Sequence, residues 1–178
     1  MADYRGQSTI MIQAPIDRIY AYLADFRKHP EWAKNLSRVT QMTPGPISVG
    51  TVFKTQEGAP PLSFLQQLRM MVPFMLGILG GAKPYSEAKI TELEPPKRIA
   101  WQAGIPKGDG FFNFAEWEFV LEAQGGATCL TQRFHWKPQT PTAERMVSVA
   151  GVKGLESAVA LSLAQLKRQV ETMSLKES

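Results

Sequence analysis

Few residues in this chain have both the type and the setting for chemistry, and Gln132 stands first among them. Between Ala127 and Lys137, the alternate positions Leu130, Gln132, Phe134 and Trp136 fall on one face of a strand, opposite Arg133, His135 and Lys137. An amide on so apolar a face needs partners, because burying it unpaired costs on the order of a few kcal/mol. Two readings stay open: a hydrogen bond to a neighbouring strand or a tyrosine, or a polar hook for a bound molecule. The remaining candidates are weaker. His29 sits between Lys28 and Pro30 and reads as surface; His135 lies on the charged strand face and reads as solvent-facing. Two lone histidines lack the spacing of a zinc site, so no metal is expected. Cys129 falls on the outward face with no histidine near it, which argues against a nucleophile. Asp25 reads as a helix cap, Glu92 and Glu94 as strand-end residues, and Asp109 and Glu116 as groups near the mouth of an interior. No paired carboxylates, Ser-His-Asp order or phosphate-binding glycine loop is present.

The elements that must position these residues follow from periodicity. Gln7 to Gln13 alternates and reads as a strand; Pro15 with Asp17 then opens a helix whose buried face is Ile16, Ile19, Tyr20 and Leu23. A second short helix is expected from Pro30 to about Leu36. Strands are expected over 38–42, 50–56, 86–93, 98–103, 112–123 and 127–137, the last two joined by the compact loop Gln124-Gly125-Gly126. Short loops between successive strands imply antiparallel pairing. In the sixth strand Trp117, Phe119 and Leu121 share the inward face, and Phe53, Ile90, Ile99 and Trp101 join them. A final helix opens at Thr140-Pro141 and carries the stripe Val152, Leu155, Val159, Leu163, Leu166, Val170 and Met173, with Gly151 and Gly154 permitting a bend.

The chain as a whole sets outer bounds. Its 178 residues suit one domain spanning 1–178 and suffice for a substantial core. The net charge of +4 is mild and its basic residues are scattered, with no basic stripe interleaved with aromatics, so nucleic-acid binding is not expected. A single cysteine and an N-terminus without an apolar leader point to the cytoplasm.

Four segments in order resemble the START-like superfamily, also called SRPBCC or helix-grip, and within it the bacterial polyketide cyclase/dehydrase-like branch. They are Ile12-Gln13-Ala14-Pro15-Ile16-Asp17-Arg18-Ile19-Tyr20; the junction Leu23 to Trp32 with Asp25-Phe26 before Pro30-Glu31-Trp32; Val49-Gly50-Thr51-Val52-Phe53; and Leu93-Glu94-Pro95-Pro96-Lys97-Arg98-Ile99-Ala100-Trp101. The resemblance implies an α+β helix-grip fold: a seven-stranded antiparallel curved sheet wrapped around a long C-terminal helix, with two short helices after strand 1. It also implies space between sheet and helix. The ligand expected there is a hydrophobic small molecule, lipid-, sterol- or polyketide-like, held in a carrier or sensor role with no cofactor. Superfamily members have diverse functions, so fold alone does not choose among them. A polyketide cyclase or dehydratase would use the same cavity, with Gln132, Glu92 or a tyrosine assisting enolisation; whether the chain is an enzyme stays open, leaning towards binding. A module that recruits a protein partner is a third reading.

The sequence departs from the compact family pattern at 57–85, where Leu62 to Ala82 is strongly apolar. Arg69, two glutamines and Pro73 argue against a membrane span. An amphipathic helix or two short ones is expected there, read as a lid over the cavity, as a homodimer interface or extra core, or as a peripheral membrane contact through 62–82. The expected cavity residues are Phe53, Ile90, Trp101, Trp117, Phe119, Phe134 and Trp136 as walls, Leu155 and Val159 from the long helix, and Gln132 to orient the cargo. Met70, Met71, Phe74 and Met75 are expected to close the mouth, with Gly80-Gly81 as the hinge.

Overall fold

The computed structural model describes residues 4–57 and 64–176. Seven strands form a single antiparallel sheet: β1 (Tyr4–Ile12), β2 (Leu36–Gln41), β3 (Val52–Glu57), β4 (Ser86–Glu94), β5 (Arg98–Lys107), β6 (Gly110–Gln124) and β7 (Ala127–Pro138). Their spatial order is β1-β7-β6-β5-β4-β3-β2, a meander in which β1 closes against the last strand. The β6–β7 hairpin turns at Gly125 and Gly126, both with positive φ, the geometry that a two-residue turn between twisted strands demands.

Helix α1 (Ile16–Ala24) follows Pro15 and buries Ile19, Tyr20, Tyr22 and Leu23. The second short helix differs from expectation. It is a 3-10 turn over Phe26–Glu31, starting before Pro30, because the Asp25 side chain accepts from the Arg27 backbone N–H and nucleates it there. The Arg27 guanidinium, held at 2.7 Å, keeps the Asp25 carboxyl below its usual range. The apolar insertion forms helix α2 (Phe64–Leu79), one helix with Pro73 inside it; residues 58–63, including the expected Leu62 start, lie outside the described residues.

Helix α3 (Pro141–Lys176) opens where Thr140 Oγ1 accepts from the Ala143 N–H at 3.1 Å. Gly151, at φ 64° and ψ 172°, breaks it into two arms that meet at 63°. Its C-terminal arm packs Val159, Leu163, Leu166 and Val170 into the main core with Ile12, Leu23, Phe53, Phe119 and Leu130. Its N-terminal arm packs Ala143, Met146 and Val147 against Phe112, Phe74 and Ile78 in a second cluster that seats α2. Gly77 of α2 is required there, since a Cβ would lie 2.8 Å from the Phe112 ring. Among the described residues no single helix is long and apolar enough to cross a membrane.

Candidate functional site

The inner face of the sheet is built in transverse rows set by strand register. One row crosses β4 to β7 as Ile90, Trp101, Trp117 and Phe134, and meets Gly6 on β1. Phe134 fills the place of a side chain there, since a Cβ on Gly6 would lie 2.6 Å from its ring. A deeper row carries Ile99, Phe119 and Gln132. The next row towards the opposite end is different: Phe53, Ala88, Ala103, Ala115 and Trp136 lie side by side. Three alanines across the three central strands leave the sheet without bulk where α3 arches over it. Beyond them come polar side chains, Thr55, Ser86 and Asn113.

The result is a cavity of about 420 Å³ between the sheet and α3, within the range typical of small-molecule sites. Trp101, Trp117 and Trp136 form its sheet wall and Leu155, Ala158 and Val159 its roof. Trp32, Ala33 and Leu36 close one side. Two buried polar atoms of wall residues have no hydrogen-bond partner among the described residues: Trp32 Nε1, a donor, and Gln132 Oε1, an acceptor. Both residues flank Phe119, whose ring centre is 5.9 Å from that of Trp32 and which faces Gln132 across the strands. An orphan pair of this kind costs about 1–3 kcal/mol per group unless a bound molecule or water satisfies it. By contrast, Trp136 Nε1 already donates to Asn113 Oδ1.

Of the residues expected to line a site, Trp101, Trp117, Gln132, Trp136, Leu155 and Val159 reach the cavity wall. Phe53, Ile90, Phe119 and Phe134 do not; they are almost fully buried behind it, Phe53 stacked on Phe26 at 5.1 Å. The expected mouth residues lie elsewhere. Met71 and Met75 are about half exposed, at 52% and 51%, and Phe74 packs into the second cluster; the Met70 side chain lies outside the described residues.

Three further placements differ from the sequence reading. His29 is buried, stacked on Phe26 at 4.4 Å and close to Trp32 at 4.9 Å, and lines the cavity. Its Nε2 lies 2.8 Å from the Leu23 carbonyl, which can only accept, so Nε2 carries the proton and Nδ1 a lone pair. Burial lowers its pKa to about 4, so the ring is neutral near pH 7. Glu116 is on the outer face, not at the cavity, with Lys137 at 2.8 Å and His135 at 3.2 Å; the lysine holds its carboxyl below the usual range. His135 is accordingly on the outer face but only partly exposed. Glu92 also stays outside, 3.2 Å from Arg98.

Glu57 was not among the expected site residues. It ends β3 at the edge of the insertion and lines the cavity, where Oε1 accepts from the Ser86 hydroxyl at 3.2 Å. Its side chain is exposed, and partial desolvation by the protein around it raises its carboxyl above the ordinary value, against the lowering effect of Ser86. The signal that could have found it is its strand parity with Phe53 and Thr55. A larger depression of about 610 Å³ on the outer face is a shallow, solvent-open groove, lined by the cross-strand ion pairs of Arg98, Arg133, Glu116 and Glu118. Among the described residues no cluster of His, Cys, Asp and Glu could hold a metal ion.

The sequence model of a family described as polyketide cyclase / dehydrase and lipid transport matches residues 5–171. The chain belongs to this family. No curated protein matches the sequence. Among solved structures, the Zhui aromatase/cyclase from Streptomyces sp. R1128 is similar with a TM-score of 0.66 at 12% identity, covering 96% of this chain and 94% of that one. Ginseng major latex-like protein 151 from Panax ginseng is similar with a TM-score of 0.64 at 8% identity, covering 94% and 97%. Protein CV1439 from Chromobacterium violaceum gives 0.60 at 16% identity, covering 94% and 97%. Identities this low speak for the fold alone, and the fold is the START-like helix grip, α+β, with the seven-stranded curved sheet and long C-terminal helix that the sequence implied.

Proposed function

We propose that this member of the family is a carrier or sensor that holds one hydrophobic small molecule, lipid-, sterol- or polyketide-like, over the alanine row. The observation that carries the reading is the cavity itself: an apolar volume of about 420 Å³ walled by tryptophans, bearing an unpartnered buried donor on Trp32 and an unpartnered buried acceptor on Gln132. Burial of apolar cargo would supply about 25 cal/mol per Å² before the costs of association. Gln132 thereby serves as the polar hook. The direct test is titration with the neutral fluorophore N-phenyl-1-naphthylamine. Saturable enhancement that is lost in Ala103→Trp supports the reading; enhancement unaffected by that substitution removes it.

A second reading, a cyclase or dehydratase-like enzyme in the same cavity, is favoured by one observation: Glu57 and the neutral ring of His29 share its wall, a carboxyl whose pKa is raised and an imidazole with a lone pair on Nδ1. Glu57 replaces Glu92 as the candidate acid, since Glu92 faces outward. Turnover of a poly-β-ketone surrogate that vanishes in Glu57→Gln would establish it.

The insertion adds a surface to the proposal. Leu65, Val72, Leu76 and Leu79 form one stripe along α2, from 54% to 81% exposed, with Met71 and Met75 beside it. Arg69 and Lys83 flank it, and no acidic residue occurs between Glu57 and Glu87. This combination suits peripheral contact with an anionic bilayer, from which an apolar cargo enters or leaves. Flotation with vesicles containing phosphatidylglycerol tests it; a salt-insensitive dimer in place of flotation would assign the stripe to a second copy. A cytoplasmic location belongs to the same proposal and accords with the free Cys129.

A further inference from the structure

The cavity wall carries electrostatic features of one sign. Among the described residues that line it, Glu57 and His29 are the only ionisable side chains, and no lysine or arginine reaches it. Glu57 takes a hydrogen bond from the Ser86 hydroxyl, and no ion pair links it to a described cation. His29 spends its one proton on the Leu23 carbonyl and keeps a lone pair. All four tryptophans of the chain, Trp32, Trp101, Trp117 and Trp136, lie on this wall, and indole faces present negative quadrupole charge to whatever lies against them. The charged pairs of the outer sheet face are separated from this space by the sheet itself.

We propose that Glu57 contacts the ligand and that the cavity selects a hydrophobic amine, an organic cation whose ammonium group meets the Glu57 carboxylate while its apolar body lies over Ala88 and Ala103 against the tryptophans. The inference rests on the carrier reading of the same cavity. The protein around Glu57 desolvates its carboxylate in part and supplies no described cation, which raises its pKa, and an incoming ammonium offsets that cost. An indole face turned to the cavity would attract the same charge. A fatty acid or other anion meets the opposite situation, since the described wall offers no positive group to receive it and Glu57 repels it.

The test compares three probes that share one twelve-carbon chain: dodecylamine, dodecanol and dodecanoate, each kept below its micelle concentration near pH 7 and read by tryptophan fluorescence. The expected order is amine tightest and carboxylate weakest, with at least about a 10-fold difference in Kd between them. Glu57→Gln, which keeps the shape of the side chain, should weaken dodecylamine by about 10-fold while dodecanol changes by less than about 2-fold, the latter reporting that the cavity is intact. Dodecanoate binding as tightly as dodecylamine overturns the inference, as does an amine-to-alcohol ratio unchanged in Glu57→Gln. Should that variant not fold, the head-group order of the wild-type protein decides alone. Binding of dodecanol without preference for the amine removes the amine inference and leaves the carrier reading, whereas binding of none of the three removes both.

Discussion

The inner face of the sheet has a closed end and an open end, and they differ by a single row. At the closed end Ile99, Phe119, Leu121 and Leu130 are buried against Leu163 and Leu166 of α3, and Phe26, Phe53 and His29 interlock at its border with ring centres 4.4–5.1 Å apart, Phe26 and His29 also facing the cavity. At the open end the three central strands carry Ala88, Ala103 and Ala115, and the space beside Ala88 and Ala103 is left to the cavity. Trp101 belongs to both: its ring lies 4.9 Å from Phe119 on one side and stacks at 6.1 Å on Trp117 on the other. The same sheet and helix thus serve stability at one end and binding at the other, by a change of side-chain volume alone.

Substitutions at the two ends should therefore act on different quantities. The largest effect is expected for Phe119→Ala, which opens a hole in the closed end and should cost about 3–5 kcal/mol of stability in denaturant unfolding, with Trp117→Ala costing less than half as much but weakening probe binding. Equal stability losses at the two positions would break the comparison. Acid comes next. His29 has its folded pKa lowered from 6.5 to about 4, so its contribution is present above pH 6.5 and is lost as pH falls towards 4, about 3 kcal/mol in all. Glu57 has the opposite sign: its raised carboxyl contributes stability at low pH that is lost as pH rises. The difference between the pH series of Glu57→Gln with and without His29→Gln should therefore isolate the histidine, since the lowered carboxyls of Asp25 and Glu116 act equally in both.

Smaller in stability but sharper in function, Ala103→Leu fills the open end. It should shift unfolding by less than about 1 kcal/mol, because the added methyls enter free space, while reducing probe affinity at least about 10-fold. A stability loss of the size seen for overpacked cores would mean that the alanine row is already packed. Smallest of all is Met71→Asp on the exposed side of α2, expected within about 0.5 kcal/mol of wild type. Its effect should appear instead as reduced flotation with anionic vesicles, and unchanged flotation would separate α2 from the cavity.

The closed end was easier to read from sequence than the open one. Alternation along β6 and β7 places Leu121, Leu130, Gln132 and Phe134 inward, and the structure agrees. Strand edges moved by a few residues, as hydrogen bonding rather than side-chain pattern ends a strand. Alternation gives a face but not a depth, so Phe53, Ile90 and Phe119 looked like walls when they lie behind them. The alanine row depends on register across β4, β5 and β6, including a bulge between Ile90 and Glu92, and no single strand displays it. His29 read as surface because Lys28 and Pro30 flank it, but the 3-10 turn set by Asp25 rotates the ring inward onto Phe26. In sequence Glu57 is an acid at a strand end beside an irregular insertion, with nothing to single it out; the fold brings it to a cavity whose described wall carries no lysine or arginine.

The most direct test of the central claim, that the space over the alanine row holds one hydrophobic molecule, is native mass spectrometry of the purified protein beside Ala103→Leu, before and after adding dodecanol or dodecylamine. The account expects the wild-type protein to carry or take up one apolar molecule per chain and the variant to take up none. A wild-type protein that stays empty throughout, or a variant that loads equally well, would contradict it.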